Sequence, residues 1–577
     1  MPAEKERYDV KTDKNVRTTM RDGTILRADV YRPRADGQFS VLLRRMHYDK
    51  RRPECIHQAS VLAARGYVVV VQDVRGRYSS GGKYISEFGG ITCEAEDGYD
   101  SVEWAATLPY SNGRVGTYSY SYCALLQWRL ATLRPPHLVA MAPIGIPARI
   151  LDLTFGVFET GRRLDFLYAM AGDCRRRDGI TTGPQTYEEA VEAWHMERHK
   201  WIWWLPLDEL PAEEIFYGLA DQYHAYLRHQ NVEYWGFHER HSQINVPAFG
   251  ITGWYDRCIG TIDHFTGMRQ NGMTEHARRN QKLLIGPWGH TDNLKRSNVG
   301  VMDFGTEAQL DYIDELSQWF DYWLKGVDNG IMDEPPIKLF VMGENKWRYE
   351  NEWPLARTVY MDYYFHSSGA ANTPRGDGSL SPTPPGDESV DVYVYNPKDP
   401  VMSLCTPGVP GWSAPFHDAA YDQRPLDHRR DVLVFVTEPL EEDVEVTGPV
   451  VVKLWAASTA PDTDFTAKLV DVYPDGFAVN LCHGIVRARY RDSFENPSLI
   501  KPGQIYEYTI PLRPTGNLFK KGHRIRVDIS SSNFPFFDRN HNTGREFYED
   551  AELVAATQTV YHNGQYPSRI ILPVIPR

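Results

Sequence analysis

Apolar and polar positions change rhythm three times along the chain. Residues 15–32 alternate around Asp22-Gly23, a two-residue hairpin signal, and predict an antiparallel opening. Phe39–Leu43, apolar but for Ser40, and the continuous apolar run Tyr67–Val71 read as buried strands, with a helical stretch near residues 54–65 between them. Residues 96–108 have helical spacing, with Val102, Ala105, Ala106 and Leu108 on one face. Val115–Ser119 predicts a third strand, Tyr122–Leu133 a helix, and Leu138–Ala142 a fourth strand. Strands alternating with helices argue for a parallel sheet covered on both faces.

Residues 147–245 break the alternation. They are rich in Trp, Tyr, Arg, His and Glu, carry little strand signal, and look helical over 187–200, so they read as a mostly helical insertion. Alternation resumes at Ala248–Thr252 and Lys282–Ile285, and a long amphipathic helix at about 307–326 is expected to close this part. Beyond residue 345 short strands dominate, among them Val390–Tyr395, Val432–Val436, Val450–Leu454, Tyr506–Ile510 and Ile525–Ile529. Pro- and Gly-rich stretches separate them, and the pattern predicts a β-sandwich or jelly roll.

The 577 residues exceed what one hydrophobic core organises. Hydrophobic content of 42% and charged content of 24% are those of a globular chain. A net charge of -13 argues against a nucleic-acid binder or a binder of anionic membranes. No apolar run of membrane-spanning length occurs, and the N-terminal residues do not read as a signal peptide. The seven cysteines are scattered without a CxxC pair, which fits reduced thiols in a cytoplasm better than a zinc site or a disulfide framework.

Three separated segments carry candidate chemistry: Gly116-Thr117-Tyr118-Ser119-Tyr120-Ser121-Tyr122-Cys123, Gly253-Trp254-Tyr255-Asp256 and Gly286-Pro287-Trp288-Gly289-His290. Each follows a predicted strand, and in chain order they offer a Ser, an Asp and a His. That is the order of nucleophile, orienting acid and base in an α/β-hydrolase. A serine hydroxyl needs a base to take its proton as it attacks. On a tight strand-to-helix turn it also lies beside a backbone N–H able to hold an oxyanion. Ser121 is favoured over Ser119 as the nucleophile because it leaves Val115–Ser119 on the strand. The small positions two residues either side are then Ser119 and Cys123 rather than glycine. Taken singly, Ser121 also reads as a helix cap, His290 as a structural histidine, and Asp256 as an N-cap for a helix near 260.

These segments, with Gln72-Asp73-Val74-Arg75-Gly76 and the Ser79-Ser80-Gly81-Gly82 that follows, resemble the cocaine esterase (CocE/NonD) family. That family is related to X-Pro dipeptidyl peptidases and α-amino acid ester hydrolases. The resemblance covers nearly the whole chain. It implies an α/β-hydrolase core (1–146 and 246–345), an inserted helical cap (147–245) and a C-terminal jelly-roll β-sandwich (346–577). It implies Ser121 as nucleophile, Asp256 as acid and His290 as base, with the Tyr48 hydroxyl and the Tyr122 N–H as oxyanion donors. No metal or organic cofactor is implied, and a monomer and a homo-oligomer are both open. The family elbow usually has glycine where Ser119 stands, and Cys123 beside the nucleophile predicts sensitivity to bulky thiol reagents.

An acyl pocket is expected where cap, core and β-domain meet. Phe155, Phe158, Phe166 and Tyr168 of the cap, with Trp254 and Leu404, are its candidate lining, and each also reads as packing. The leading expectation is hydrolysis of a small-molecule carboxylic ester. An amidase or aminopeptidase, an acyltransferase, and a binding scaffold with a decayed site are the alternatives.

Overall fold

A computed structural model describes residues 8–85, 93–146, 156–228, 238–256, 260–291, 293–404 and 419–577. The chain opens with the hairpin β1 (Val10–Thr19) and β2 (Ile25–Pro33). Its turn is wider than a two-residue loop, because the Met20 N–H donates to Thr24 O and the Gly23 N–H to Met20 O. There follow β3 (Phe39–Met46), α1 (Pro53–Ala64), β4 (Val68–Asp73), α2 (Glu94–Ala106), β5 (Ser111–Tyr120), α3 (Tyr122–Thr132) and β6 (Leu138–Ile144). The cap contributes α4 (Thr160–Arg177), α5 (Tyr187–Trp201), α6 (Ala212–Ile215) and α7 (Ala220–Arg228). The Thr186 hydroxyl caps α5 by accepting the Glu189 N–H.

The chain returns through β7 (Ala248–Gly253), α8 (Gly260–Asn271), α9 (Glu275–Arg279) and β8 (Gln281–Gly286). A small ribbon, β9 (Asn298–Val299) with β10 (Met302–Asp303), precedes α10 (Tyr312–Lys325). The main sheet runs β1-β2-β4-β3-β5-β6-β7-β8, then β11 (Ile337–Val341) and β12 (Lys346–Glu350). From β4 to β11 every neighbouring pair is parallel. This is an α/β-hydrolase core. Every residue of β4, β7 and β8 is buried, as strands covered on both faces require.

The helix read at 307–326 starts at Tyr312, and it does not close the sheet. Asp311 caps it by accepting the Ile313 and Asp314 N–H groups, and two more strands join the sheet after it, so the core sheet runs to Glu350. Their shortness and the Pro335-Pro336 entry hid them from the apolar pattern.

From Val359 onward β-strands dominate the described residues, with thirteen of them in one hydrogen-bonded system. This part shares a core with the end of the main sheet. Trp254, Leu283, Ile285, Leu339 and Phe340 belong to the same buried cluster as Val446, Leu454, Phe465, Ile525 and Val527. The cap is tied to the β-domain through the backbone, with the Gly161 N–H donating to Pro535 O and the Asp538 N–H to Phe158 O. Among the described residues no helix is long and apolar enough to cross a membrane.

Candidate active site

Ser121 occupies the turn between β5 and α3 with φ 60° and ψ -130°, a conformation unfavourable for a residue with a side chain. The turn is held by hydrogen bonds rather than by glycine. The Ser121 N–H donates to Ile144 O at 2.9 Å, and its carbonyl accepts the Ala124 and Leu125 N–H groups as the helix begins. Ser119 and Cys123 flank it, both buried.

Burial pushes the Cys123 thiol up to about 11, so it is neither ionised nor reachable near neutral pH. This corrects the expected sensitivity to thiol reagents. Iodoacetamide near pH 8 is expected to label the exposed Cys93 and leave turnover unchanged. Loss of activity in step with alkylation of Cys123, followed by peptide mapping, would show that the elbow opens.

Asp256 and His290 meet at the ends of β7 and β8. Nδ1 of His290 lies 2.9 Å from Oδ1 of Asp256, and both side chains are buried. The Thr252 hydroxyl approaches the other carboxylate oxygen at 3.4 Å. The two loops are tied together, because the Trp254 N–H donates to Gly286 O and the Tyr255 N–H to Trp288 O. That closeness explains the glycines in both motifs. A Cβ on Gly253 would stand 2.0 Å from Trp288 O, and one on Gly286 would stand 2.4 Å from the Trp288 ring.

Gly145, which the motifs did not flag, joins the two halves of the site. It follows Ile144, whose carbonyl holds the Ser121 N–H, and its own N–H donates to Ile251 O. Its φ is +53°, and a Cβ there would lie 2.5 Å from Asp256 Oδ2 and 3.1 Å from His290 Nδ1. The end of β6 therefore touches the serine turn on one side and the Asp–His pair on the other. The Tyr120 ring, next to Ser121, stands 6.0 Å from the His290 ring.

Tyr48 follows β3. Burial raises its phenol well above the ordinary range, so it remains a neutral hydrogen-bond donor. Its ring packs on His47 at 4.0 Å and edge-on to Tyr187 of the cap at 5.4 Å, with the Arg52 guanidinium 5.5 Å from its centre. His47 also touches the Tyr122 ring at 4.0 Å. Tyr122 is the first residue of α3, where backbone N–H groups point out of the helix end. His47, Arg52, Tyr120 and Tyr187 left no separate signal in the sequence, since contact across cap and core is not written in local spacing.

The expected pocket residues divide. Phe155 lies outside the described residues. Phe166 stands 5.8 Å from the His47 ring. Trp254 is buried, with its indole N–H donating to Phe340 O at 2.6 Å and its ring close to Gly516 and Trp353. Tyr168 is buried against Trp194, and Phe158 against Phe547. Leu404 packs on the small cluster of Val401, Leu426, Val432 and Val434. Among the described residues no group of three or more His, Cys, Asp or Glu side chains is placed to hold a metal ion.

The X-Pro dipeptidyl-peptidase (S15 family) model matches residues 22–292, and the X-Pro dipeptidyl-peptidase C-terminal non-catalytic domain matches residues 329–571. The cocaine esterase of Rhodococcus sp. (strain MB1 Bresler) is 37% identical over 589 residues, covering 98% of each chain. Among solved structures, an α-amino acid ester hydrolase aligns with a TM-score of 0.76 at 25% identity, covering 100% of this chain and 98% of its own. An aminopeptidase from a marine sediment Thaumarchaeota archaeon has the same fold, with a TM-score of 0.82 at 23% identity over 100% of this chain and 98% of that one. With a relative matched from end to end and both halves of the chain fitting the related peptidase models, the chain belongs to the cocaine esterase (CocE/NonD) family of serine hydrolases.

Proposed function

We propose that the enzyme hydrolyses carboxylic esters of small molecules through an acyl-enzyme on Ser121. The observation that carries this reading is the buried Asp256–His290 pair, set against the strand end that also holds the Ser121 turn. With Nδ1 of His290 donating to Asp256, Nε2 serves as the base. It takes the Ser121 proton as Oγ attacks the ester carbonyl. Negative charge develops on the carbonyl oxygen, and the Tyr48 hydroxyl and the Tyr122 N–H stabilise it. The tetrahedral intermediate collapses, the C–O bond to the leaving alcohol breaks, and the alcohol leaves with the proton from His290. Water, deprotonated by the same imidazole, then releases the carboxylic acid and restores Ser121.

The phenol suits the role because it donates without ionising. The rings of Phe166 on His47 and of Tyr187 on Tyr48, with Tyr120 beside His290, support an aromatic or apolar acyl group. Full-length similarity to a cocaine esterase supports an ester rather than an amide. The match to the S15 peptidase model favours a second reading, an amidase or aminopeptidase acting on a free-amine substrate. A series of esters and amides sharing one aromatic acyl group separates them. The ester is expected to have much the larger kcat/KM. An amide cleaved as well as its ester, with a requirement for a free amine, would replace the ester reading.

A further inference from the structure

Residues 73–82, leaving β4, grip two other parts of the molecule at once. On one side lies the segment that carries Tyr48. The Asp73 carboxylate accepts the Lys50 backbone N–H at 3.0 Å and the Lys50 ammonium at 2.6 Å, with both side chains fully buried. The Arg77 Nε donates to His47 O at 3.1 Å. Tyr48 is thus bracketed by a held carbonyl before it and a held N–H after it.

On the other side lies α4 of the cap. Arg77 Nη1 donates to Met170 O at 3.0 Å, and the guanidinium lies 3.5 Å from the Asp173 carboxylate. The Tyr78 N–H donates to Asp173 Oδ2 at 2.9 Å, and Arg177 donates to Tyr78 O and Ser80 O. Arg77 is 1% exposed, and its one side chain bonds in both directions. A planar fork of fixed donors can span two carbonyls and a carboxylate, whereas an ammonium of lysine's reach satisfies one side only.

We propose that Arg77 is a positioning residue that joins cap helix α4 to the His47–Lys50 segment and so sets the Tyr48 hydroxyl where the oxyanion forms. This rests on the oxyanion role given to Tyr48 above. His47 O is one peptide from Tyr48, so releasing it displaces the phenol, and a displacement of about 1 Å at a catalytic group lowers turnover by up to about a hundredfold.

The test is a double-mutant cycle on the full chain, with kcat and KM measured on one aromatic ester for Tyr48→Phe, Arg77→Lys and both together. Tyr48→Phe is expected to lower kcat about a hundredfold, as loss of an oxyanion donor does. Arg77→Lys is expected to lower kcat about tenfold with KM nearly unchanged, and to add less than about twofold in the Tyr48→Phe background. An equal loss from Arg77→Lys in both backgrounds, or a change confined to KM, would overturn the proposal and leave Arg77 a structural residue. Wild-type kcat in Tyr48→Phe would remove the oxyanion reading itself, and this proposal with it. If Arg77→Lys fails to fold, Asp173→Asn loosens the same guanidinium from the cap side and takes its place in the cycle.

Discussion

The Ser121→Ala variant is expected to lose all labelling by a small phosphonate or sulfonyl fluoride, and its ester hydrolysis should fall by at least about 10⁴-fold. Intact mass should show one adduct on the wild type and none on the variant, with the adduct mapped to the Gly113–Arg129 peptide. The fold should survive the change. The turn at φ 60° is secured by the Ile144 carbonyl and by the first N–H groups of α3, none of which involve the hydroxyl. Unchanged thermal unfolding beside lost labelling would therefore assign the loss to chemistry. An adduct that persists in Ser121→Ala and maps to Ser119 would transfer the nucleophile to the other serine of the motif. Burial of Ser119 argues against that outcome. A well-folded wild type that takes no label would bring the decayed-scaffold reading forward.

Much of the core was legible because its signals are local. Val68–Val71 had to be a strand buried on both faces, and the run from Val115 through the Tyr122 helix could hardly fold otherwise than as strand, turn and helix. The Ser, Asp and His could be nominated because each follows a strand in a parallel sheet, and such sheets place those ends together. What stayed hidden depends on contacts between distant segments. Gly145 is an ordinary glycine in the sequence, and only the Asp256–His290 pair lying against its Cα shows why a side chain there is excluded. Trp254 read as a pocket wall beside a motif, yet its indole N–H turns away to Phe340 and seals the joint with the β-domain. Arg77 falls between the two segments Gln72–Gly76 and Ser79–Gly82 that carry the family resemblance, and its two-sided role needs the cap in place to be seen. The strands at Ile337–Val341 and Lys346–Glu350 are too short to announce that they join the main sheet.

Asp256→Asn is expected to fold and to bind substrate while kcat falls by about 10⁴-fold. The argument is one of proton placement. The carboxylate only accepts, so at 2.9 Å it holds the proton of His290 on Nδ1 and leaves the Nε2 lone pair to take the serine proton. An asparagine amide placed there can donate to Nδ1 instead, which moves the ring proton to Nε2 and removes the base. It also leaves the imidazolium that forms during attack without its buried counter-charge. The two effects act on the transition state, so kcat and kcat/KM should fall together with KM little altered. Binding of a non-hydrolysable substrate analogue should be close to that of the wild type. His290→Ala, which deletes the base outright, should fall at least as far, and the double variant should be no worse than His290→Ala alone, because the pair acts as a unit. Activity in Asp256→Asn within about tenfold of the wild type would mean that another carboxylate orients His290, and the buried pair would then be a packing feature of the β7 and β8 loops.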